Sequence, residues 1–280
     1  MFGSISMTTS ASRRLTGDVR VHTRFGSRIL NNHREVLVYL PPGYEQSGAR
    51  YPVLYLHDGQ NVFDASTAFA GVEWGADDTA ERLLHAGQIA PLIIVAVANA
   101  GMDRLHEYAP TRGLIDEPAA GRRPQRSRGL ARKYGRFLLG ELKPFIDANY
   151  RTMPEGIFTG LGGSSLGGLV TLALGLWFPR AFTRLAVMSP SVWWDDCTIC
   201  RLVAATKRRP ALKIWLDTGT AEPGWERTRE LRDALVQRGW TEGDDLHYLE
   251  AAGAGHDEGA WAARMEPMLR WLFPVQENAG

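Results

Sequence analysis

The stretch Gly163-Ser164-Ser165-Leu166-Gly167 decides the fold that we predict for this chain. It follows an apolar run over residues 156–161 and precedes a helix-like apolar run over residues 169–174. A G-x-S-x-G pattern between a strand and a helix is typical of a serine held at a sharp turn, where glycines two positions before and after it avoid clashes with neighbouring backbone. Ser165 has both glycines at these offsets and Ser164 has only one, so Ser165 is the predicted nucleophile.

The motif alone is suggestive only. With 30 glycines among 280 residues, about one such chain in seven would carry it by chance. The alternative is a glycine-rich turn between a strand and a helix with an ordinary capping serine. The prediction therefore depends on partners elsewhere in the chain.

Length and composition predict a globular chain with one large domain or two small ones. Hydrophobic residues make up 44% and charged residues 22%, a balance typical of soluble proteins. The net charge of +1 gives no reason to expect a nucleic acid or an anionic membrane as a partner. No apolar run approaches the ~20 residues of a membrane span. Residues 1–17 contain no apolar signal segment, so we expect a flexible leader and a cytoplasmic location.

Eight runs have the character of β-strands. Residues 19–23 and 35–40 alternate or nearly so, which predicts half-buried antiparallel strands. Residues 52–56 and 92–97 are continuously apolar, which predicts strands covered on both faces. Further strands are predicted at residues 157–161, 185–188, 212–216 and 247–251, and helices at residues 74–85, 131–149, 166–177, 227–238 and 258–272. This order predicts an α/β fold, with a mostly parallel sheet of about eight strands and helices on both faces.

Two cysteines, Cys197 and Cys200, have C-x-x-C spacing. This spacing can indicate a redox pair. The pair follows Trp193-Trp194-Asp195-Asp196 and not the first strand of a βαβ unit, and a single C-x-x-C is a poor zinc site. We therefore predict two incidental thiols on a helix, and an activity that uses no cofactor and no metal.

Residues 111–132 form the least regular stretch of the chain. They include a cluster of arginines, Arg112, Arg122, Arg123, Arg126 and Arg128. A loop this long inside a compact domain is usually functional or disordered. One hypothesis is a lid whose arginines meet an anionic or phenolic substrate. The alternative, which we favour, is a mobile, solvated loop.

A serine hydroxyl needs a base before it can attack a carbonyl. In hydrolases with this motif, a carboxylate and then a histidine follow the serine along the chain. His247 and His256 are the histidines downstream of Ser165. His247 lies inside a strand-like run, whereas His256 lies in a glycine-rich loop between the last predicted strand and the last predicted helix. We therefore predict His256 as the base.

The loop after the penultimate predicted strand supplies the candidate acid. It contains Asp217 at the strand end and Glu222 further out in the turn. The acid would hold the imidazole in the correct tautomer and stabilise the imidazolium. The sequence pattern leaves both carboxylates open.

The oxyanion of a tetrahedral intermediate needs two backbone donors, each worth roughly 3–4 kcal/mol of transition-state stabilisation. One is expected from Leu166, the residue after the nucleophile. The other is expected from the turn at residues 57–61, where Gly59 would let the backbone direct its N–H at the site. We predict a structural hydrogen bond, and no catalytic role, for His57.

Several segments together resemble the putative esterase family of α/β-hydrolases, which includes enterochelin esterases, feruloyl and acetyl-xylan esterases and esterase D. The matching segments are residues 38–44 (VYLPPGY), 55–64 (YLHDGQNVFD), 141–147 (ELKPFID), 150–152 (YRT), 162–168 (GGSSLGG) and 189–194 (SPSVWW), with the loops that contain Glu222 and His256. They cover most of the chain from about residue 18 onward, and the enterochelin-esterase-like members are the most similar in character.

The resemblance implies one catalytic domain of the α/β-hydrolase fold over residues 18–275. It implies a triad of Ser165, His256 and Glu222, in which Glu222 matches a Gly-Thr-x-acid pattern. It also suggests the amides of Gln60 and Leu166 as oxyanion donors, and Trp193 or Trp194 as lining of the acyl pocket. The alternative for these tryptophans is a role as core aromatics.

Together these residues predict a serine carboxylic-ester hydrolase that forms an acyl-enzyme. Its partner would be a small-molecule ester, with siderophore, aryl and carbohydrate esters as candidate classes. An acyltransferase or a peptidase could use the same triad, because the pocket and not the fold decides the substrate. A non-catalytic binding module of the same fold is the remaining alternative, although such a module usually lacks the serine or the histidine. The acyl group, the alcohol and the oligomeric state do not follow from the sequence.

Overall fold

The computed structural model describes residues 15–115 and 124–275, and eight of the strands in them form one sheet. In chain order these strands are β1 (Asp18–Ser27), β2 (Asn32–Leu40), β3 (Val53–His57), β4 (Ile93–Val97), β7 (Thr159–Ser164), β8 (Arg184–Met188), β9 (Lys213–Gly219) and β10 (Leu246–Ala251). The remaining two, β5 (Leu114–Ile115) and β6 (Gln125–Arg126), pair antiparallel with each other in a separate two-stranded sheet.

Helices connect the strands from β3 onward. They are α1 (Ala76–His85), α2 (Arg104–Glu107), α3 (Ala131–Phe137), α4 (Lys143–Asn149), α5 (Leu166–Trp177), α6 (Thr198–Ala204), α7 (Glu226–Gln237) and α8 (Glu258–Leu272). A π-helical segment, Leu138–Leu142, joins α3 to α4, so the predicted helix over residues 131–149 is one continuous run. Pro144 lies in the first turn of α4, and the wider π turn before it accommodates a residue that cannot donate a backbone hydrogen bond.

The order of strands across the sheet is β1-β2-β4-β3-β7-β8-β9-β10. β1 pairs antiparallel with β2, and β2 pairs antiparallel with β4. Every neighbouring pair from β4 to β10 is parallel. The α/β-hydrolase fold predicted from the sequence, with a mostly parallel sheet of eight strands, is confirmed.

Two apolar cores lie on the two faces of the sheet. Alternate residues of β3 divide between them, with Tyr55 in one core and Leu56 in the other. All five residues of β3 and all five of β4 are buried, because helices cover both faces. This is why the two strands consist of continuous apolar runs in place of alternating ones.

Strand β7 is displaced from its predicted position. The apolar run predicted a strand at residues 157–161, but residues Gly156–Phe158 form a 3-10 turn and β7 continues to Ser164. A Cβ on Gly162 would lie 2.7 Å from the Cβ of Ala186 on the neighbouring strand. Glycine is thus required for close strand packing here, although a run of glycines carries no apolar signal.

The parallel strands bring their carboxyl ends to one edge of the sheet. At this edge, β3 leads into the turn at residues 57–61 and β7 leads into Ser165. The loop after β9 contains Glu222, and the loop after β10 contains His256. All the candidate site residues of the sequence, apart from the tryptophans, are therefore at or next to the carboxyl ends of four strands.

The structure corrects the prediction for the cysteines. Cys197 and Cys200 are joined by a disulfide, with their Cα atoms 5.5 Å apart. Cys197 caps the amino end of α6 in a left-handed conformation, and Cys200 is in the first turn of that helix. The predicted helix at these positions is confirmed, but the prediction of free thiols is wrong, because a helical turn brings residues at this spacing within the usual Cα distance of a disulfide.

The arginine-rich segment is partly outside the described residues, since Arg122 and Arg123 fall between residues 115 and 124. The described parts include the paired strands β5 and β6, and Arg128 forms an ion pair with Asp103 at 2.5 Å. Most of the predicted leader also falls outside, because the description begins at residue 15. Thr16 is hydrogen-bonded to Asp77 and Asp78 at the start of α1.

Candidate active site

Ser165 lies between β7 and α5 in a backbone conformation that non-glycine residues rarely adopt, with φ 57° and ψ −122°. Three backbone hydrogen bonds fix it: its N–H donates to Met188 O at 3.0 Å, and its carbonyl accepts from Leu169 N and from Ser191 N, both at 3.0 Å. The two hydroxyl oxygens of Ser165 and Ser191 are 3.3 Å apart. Neighbouring Ser164 is the last residue of β7 and is buried. The turn therefore places Ser165, and not Ser164, beyond the end of the strand.

The glycines around this turn are required to different degrees. A Cβ on Gly163 would lie 3.1 Å from the backbone of Gly167 and from the Cβ of His57. A Cβ on Gly168 would lie 2.8 Å from Met188 O, which is a clash. A Cβ on Gly167 would meet nothing closer than 3.4 Å, an ordinary contact. We expected a Cβ to collide at both motif glycines, Gly163 and Gly167. The expectation holds for Gly163 but not for Gly167, and the second position without room for a Cβ is Gly168.

His256 and Glu222 are joined by a hydrogen bond of 2.8 Å between Nδ1 of the ring and Oε2 of the carboxylate. The His256 side chain is 37% exposed, whereas that of Glu222 is buried. Trp261 and the imidazole pack in a T-shaped arrangement, with 5.0 Å between ring centroids. Asp257, the next residue, caps α8 by accepting a hydrogen bond from Ala260 N at 2.9 Å. This cap fixes the loop that presents His256.

The second oxygen of Glu222 is held from within the protein. Oε1 accepts hydrogen bonds from Ser189 Oγ at 2.5 Å and from Gly219 N at 2.7 Å. Burial opposes the charge of this carboxyl, but the hydrogen bonds from His256, Ser189 and Gly219 outweigh it and lower the pKa of Glu222. The carboxylate is therefore an ionised acceptor that faces the imidazole.

Asp217, the other candidate acid, is fully buried at the end of β9 and has different partners. It accepts hydrogen bonds from Trp215 Nε1 at 2.6 Å and from Ser189 N at 3.1 Å. The Nε of Arg264 lies 3.2 Å from its Oδ1. Burial raises the pKa of Asp217 to about 6, against the opposing pull of Arg264. Of the two carboxylates, Glu222 is the one that the structure brings to His256.

His247 and His57 pack within the folded structure and take no part in the Glu222–His256 contact. His247 lies in β10 and stacks on Trp215, with 4.4 Å between ring centroids. His57 is buried at the end of β3, and its Nδ1 is 2.9 Å from Tyr134 Oη. Burial, with smaller effects of Arg104 and Arg34, lowers the pKa of His57 to about 3. His57 is therefore a neutral group in the core beneath the site.

The turn after β3 consists of Asp58, in a left-handed conformation with φ 55°, and a 3-10 turn over Gly59–Asn61. A Cβ on Gly59 would lie 2.5 Å from the backbone carbon of Ala96. Glycine is thus needed at position 59 because the turn packs closely against β4. We expected Gly59 to reverse the backbone, but the residue with the left-handed conformation is Asp58. The 3-10 hydrogen bonds are donated by Asn61 N and Val62 N. The amide of Gln60 comes before them in the turn.

Two residues clamp this turn. Arg104 donates two hydrogen bonds to the Asp58 carboxylate, at 2.7 and 2.8 Å. Asn99 donates from its side chain to Asp58 Oδ1 at 2.7 Å and from its backbone to Gln60 Oε1 at 3.2 Å. Burial opposes the charge of Asp58, but the charge and hydrogen bonds of Arg104 prevail and lower the pKa of that carboxyl. The turn that carries Gln60 is therefore held at both ends.

Ser165 and His256 line a common cavity of about 310 Å³, together with Gln60, Phe69, Arg104 and Glu258. Leu166 is the first residue of α5, where a backbone N–H has no partner within the helix. Another cavity, of about 390 Å³, lies near the amino ends of the strands and is lined by other residues, including Tyr51, Arg184 and Phe273. Because Ser165 and His256 line the cavity of about 310 Å³, that cavity is the candidate active site.

The two predicted pocket tryptophans have different positions. Trp193 is 55% exposed and lines a small cleft of about 40 Å³ together with Glu222 and His256. Trp194 is 1% exposed and belongs to the apolar core, where its Nε1 donates to Thr111 Oγ1 at 3.1 Å. The structure therefore places Trp193 beside the site and Trp194 among the core aromatics, which was the alternative.

Sequence reasoning missed four residues that hold the site: Asn99, Arg104, Ser189 and Arg264. One signal was available for Arg264. It lies on α8 three residues after Trp261 and four before Met268, on the face that the apolar residues bury. A charged residue on the buried face of a helix predicts a buried ionic partner.

Two kinds of site are not found in the part of the chain that the structure describes. No cluster of three or more His, Cys, Asp or Glu side chains in residues 15–115 and 124–275 could hold a metal ion. None of the helices in these same ranges is both long enough and apolar enough to span a membrane.

Comparison with known proteins identifies similar esterases. The family model described as "Putative esterase" matches residues 27–272. Ferri-bacillibactin esterase BesA of Bacillus subtilis (strain 168) is 27% identical over 248 residues, which cover 81% of this chain and 81% of that protein.

Solved structures share the fold. The BES protein from Bacillus cereus superposes with a TM-score of 0.70 at 22% identity, over 96% of this chain and 100% of that one. The enterobactin esterase FES from Shigella flexneri gives a TM-score of 0.69 at 19% identity. That comparison covers 92% of this chain and 59% of the Shigella chain.

Proposed function

The chain belongs to the putative esterase family, whose members are hydrolytic enzymes, and from this premise we propose that it is a serine carboxylic-ester hydrolase that forms an acyl-enzyme. One observation carries the proposal. Ser165, in its strained turn, lines the same cavity as His256, and the Nδ1 of His256 is hydrogen-bonded to Glu222. A nucleophile, a base and a group that orients the base are the parts that acyl transfer needs.

The first half of the reaction forms the acyl-enzyme. Ser165 Oγ attacks the ester carbonyl carbon while His256 Nε2 takes its proton. In the structure the Ser165 hydroxyl lies 3.3 Å from Ser191 Oγ, and it must turn towards His256 for this step. Hydrogen bonds of this kind are often loose before substrate binds. The tetrahedral intermediate then collapses, and the imidazolium gives the proton to the departing alkoxide.

The pairing with Glu222 determines which nitrogen of His256 is available. The ionised carboxylate can only accept, so Nδ1 carries the hydrogen and Nε2 is free to take the proton of Ser165. The same carboxylate stabilises the imidazolium once it forms. The lowered pKa of Glu222 keeps this arrangement at neutral pH.

The amides of Gln60 and Leu166 are the proposed oxyanion donors. Both belong to first turns at the carboxyl ends of neighbouring strands β3 and β7, and Gln60 lines the cavity. In the second half of the reaction, His256 takes a proton from water, whose oxygen attacks the acyl carbon; the bond to Ser165 Oγ then breaks, the imidazolium returns the proton to Ser165 Oγ, and the carboxylic acid is released. The negative oxygen forms again and is held by the same two amides.

For the substrate we propose an ester with an aromatic ring near the scissile bond. Phe69 lines the cavity and is 74% exposed, and Trp193 is exposed in the cleft beside His256. Exposed rings contribute little burial to folding and are free to pack against a ring of the substrate. The similarity to enzymes named as ferri-bacillibactin and enterobactin esterases makes siderophore esters the first class to test.

Two activity measurements test the proposal. With a p-nitrophenyl acyl ester, Ser165→Ala should lower kcat by about 10⁴-fold or more. The matched change Ser164→Ala alters the adjacent, buried serine and should retain turnover. Wild-type turnover by Ser165→Ala would refute the mechanism.

An ester panel then tests the substrate class. It compares catecholate-siderophore, feruloyl, acetyl-xylan and S-formylglutathione substrates, and we expect the aromatic esters to give the higher kcat/KM. Product analysis with an added alcohol acceptor distinguishes hydrolysis from acyl transfer. A preference for the non-aromatic esters would refute the proposed role of Phe69 and Trp193.

A further inference from the structure

Arg264 is a buried cation between two buried carboxylates. It projects from α8, and its side chain is 4% exposed. Its Nε lies 3.2 Å from Asp217 Oδ1, and one terminal nitrogen lies 3.7 Å from Glu222 Oε1. Burying a charge is costly unless the charge is paired. This guanidinium therefore serves both carboxylates, including the one that meets His256.

The hydroxyl of Ser189 connects Arg264 to Glu222. Its oxygen accepts from Arg264 at 2.8 Å and from Trp261 Nε1 at 3.0 Å. Both partners can only donate, so the single hydroxyl hydrogen of Ser189 is available to Glu222 Oε1, 2.5 Å away. Arg264 and Trp261 together occupy the acceptor side of the Ser189 hydroxyl and leave Glu222 Oε1 as the acceptor of its hydrogen.

Asp217 anchors the guanidinium. Trp215 Nε1 and Ser189 N fix the carboxylate of Asp217, and Arg264 pairs with its Oδ1. The carboxylate that does not meet His256 therefore has a part in the same assembly as the counter-charge of the cation, through an ion pair that lacks hydrogen-bond geometry.

We propose that Arg264 is a positioning residue of the esterase site, which with Trp261 directs the Ser189 hydroxyl onto Glu222 and, by its charge beside Oε1, keeps Glu222 an ionised acceptor for His256. This inference rests on the proposed function, in which Glu222 and His256 act on Ser165. Arg264 touches neither substrate nor the reacting atoms, so it acts only through Glu222.

The proposal has a consequence for the pH profile. Removing the positive charge beside Glu222 raises the proton affinity of the Glu222–His256 pair, so the acidic limb of kcat/KM moves to higher pH. The other charged groups around the pair are unchanged by this substitution: Asp217 on β9, Arg227 on α7, Asp257 and Glu258 at the start of α8, and Asp58 and Arg104 across the cavity.

The experiment compares Arg264→Met and Arg264→Lys with the wild-type protein on a p-nitrophenyl ester. For Arg264→Met we expect a loss in kcat of roughly 10- to 100-fold, and a shift of the acidic limb by about one pH unit upward. Arg264→Lys keeps the charge but not the planar fork, so it should lower kcat and leave the limb in place. Arg270→Met removes an exposed arginine of the same helix and is the matched control.

Loss of folding is controlled by a second variant. Arg264→Met leaves two carboxylates without their cation, so Asp217→Asn/Arg264→Met removes one of these charges and is expected to fold better. Because the double variant also lacks the cation, it should still show a reduced kcat and an acidic limb at higher pH than in the wild-type protein. The shift should be smaller than in Arg264→Met, since one negative charge is removed as well. If Arg264→Met and the double variant lose activity while the acidic limb of kcat/KM stays at its wild-type pH, Arg264 has only a packing role and the inference is wrong.

Failure of this inference is distinguishable from failure of the proposed function. A fluorophosphonate probe labels the wild-type protein at Ser165 only if Ser165 is an activated nucleophile. If the wild-type protein is labelled and Arg264→Met matches its labelling rate at every pH, the inference alone is wrong. If the wild-type protein is not labelled at Ser165, the proposed function on which the inference rests is wrong.

Discussion

Glu222 Oε2 lies 2.8 Å from His256 Nδ1, although the two residues are 34 positions apart in separate loops. From this contact we expect Glu222→Gln to lower kcat by about 10²-fold or more, because the amide can present a hydrogen to Nδ1 and favour the wrong tautomer. Asp217→Asn, which alters a carboxylate bonded to Trp215 and Ser189, should cost less, about tenfold. Steady-state kinetics on one ester compares the two, and a larger loss for Asp217→Asn would exchange their roles.

The two adjacent glycines at the start of α5 should respond differently to alanine. Gly168→Ala places a Cβ 2.8 Å from Met188 O, and we expect it to lower the free energy of unfolding by about 1–3 kcal/mol. Gly167→Ala meets only ordinary contacts from 3.4 Å outward and should change it by less than about 1 kcal/mol. Urea unfolding of both variants is the measurement. The opposite ranking would mean that the motif glycine, and not its neighbour, is the tight position.

His57 should make the protein sensitive to acid. Its pKa falls from 6.5 to about 3 on folding, so between these values the unfolded chain binds a proton that the folded protein excludes. Stability from this group is present above pH 6.5 and is lost as the pH falls towards 3. The free energy of unfolding should therefore rise with pH by up to about 1.4 kcal/mol per unit across this range.

The matching measurement is urea unfolding at several pH values in this window. His57→Asn removes the titrating ring, so its stability should rise less steeply with pH than that of the wild-type protein, whatever its absolute value. His85→Asn replaces an exposed histidine and is the control. Equal slopes for His57→Asn and the wild-type protein would show that His57 is not the buried neutral group described above.

Asn99 should affect the rate more than the binding of substrate. It donates to Asp58 and to Gln60 at the two ends of the proposed oxyanion turn. Asn99→Ala loosens this turn, and we expect a loss of about tenfold in kcat with a smaller change in KM. Asn149→Ala removes an exposed amide on α4 and serves as the control. A change confined to KM would instead assign Asn99 to substrate binding.

The long elements were predictable from the sequence because their patterns are strong. Helix α8 occupies Glu258–Leu272, as predicted, since its apolar residues repeat at helical spacing and Asp257 caps it. The continuous apolar runs of β3 and β4 likewise identified the buried parallel strands. Helix α2 was missed because four residues are too few to show a clear period, whereas α6 was expected only as a helix at the two cysteines, without bounds.

The components of the candidate site were predictable, but the way they are held was not. Motif order and loop position predict Ser165 and His256 and narrow the acid to Asp217 or Glu222, of which the family resemblance implies Glu222. Which carboxylate meets the histidine depends on Ser189 and Arg264, which arrive from other parts of the chain. The C-x-x-C spacing was similarly ambiguous, since the same two positions suit free thiols or a disulfide.

The central claim is that Ser165 is the nucleophile, and the most direct test is to locate the covalent adduct. The protein is treated with a fluorophosphonate and its peptides are analysed by mass spectrometry, with Ser165→Ala treated in parallel. We predict one adduct per chain, on Ser165, and none in the variant. An adduct on Ser164 or Ser191, or equal labelling of Ser165→Ala, would contradict the account.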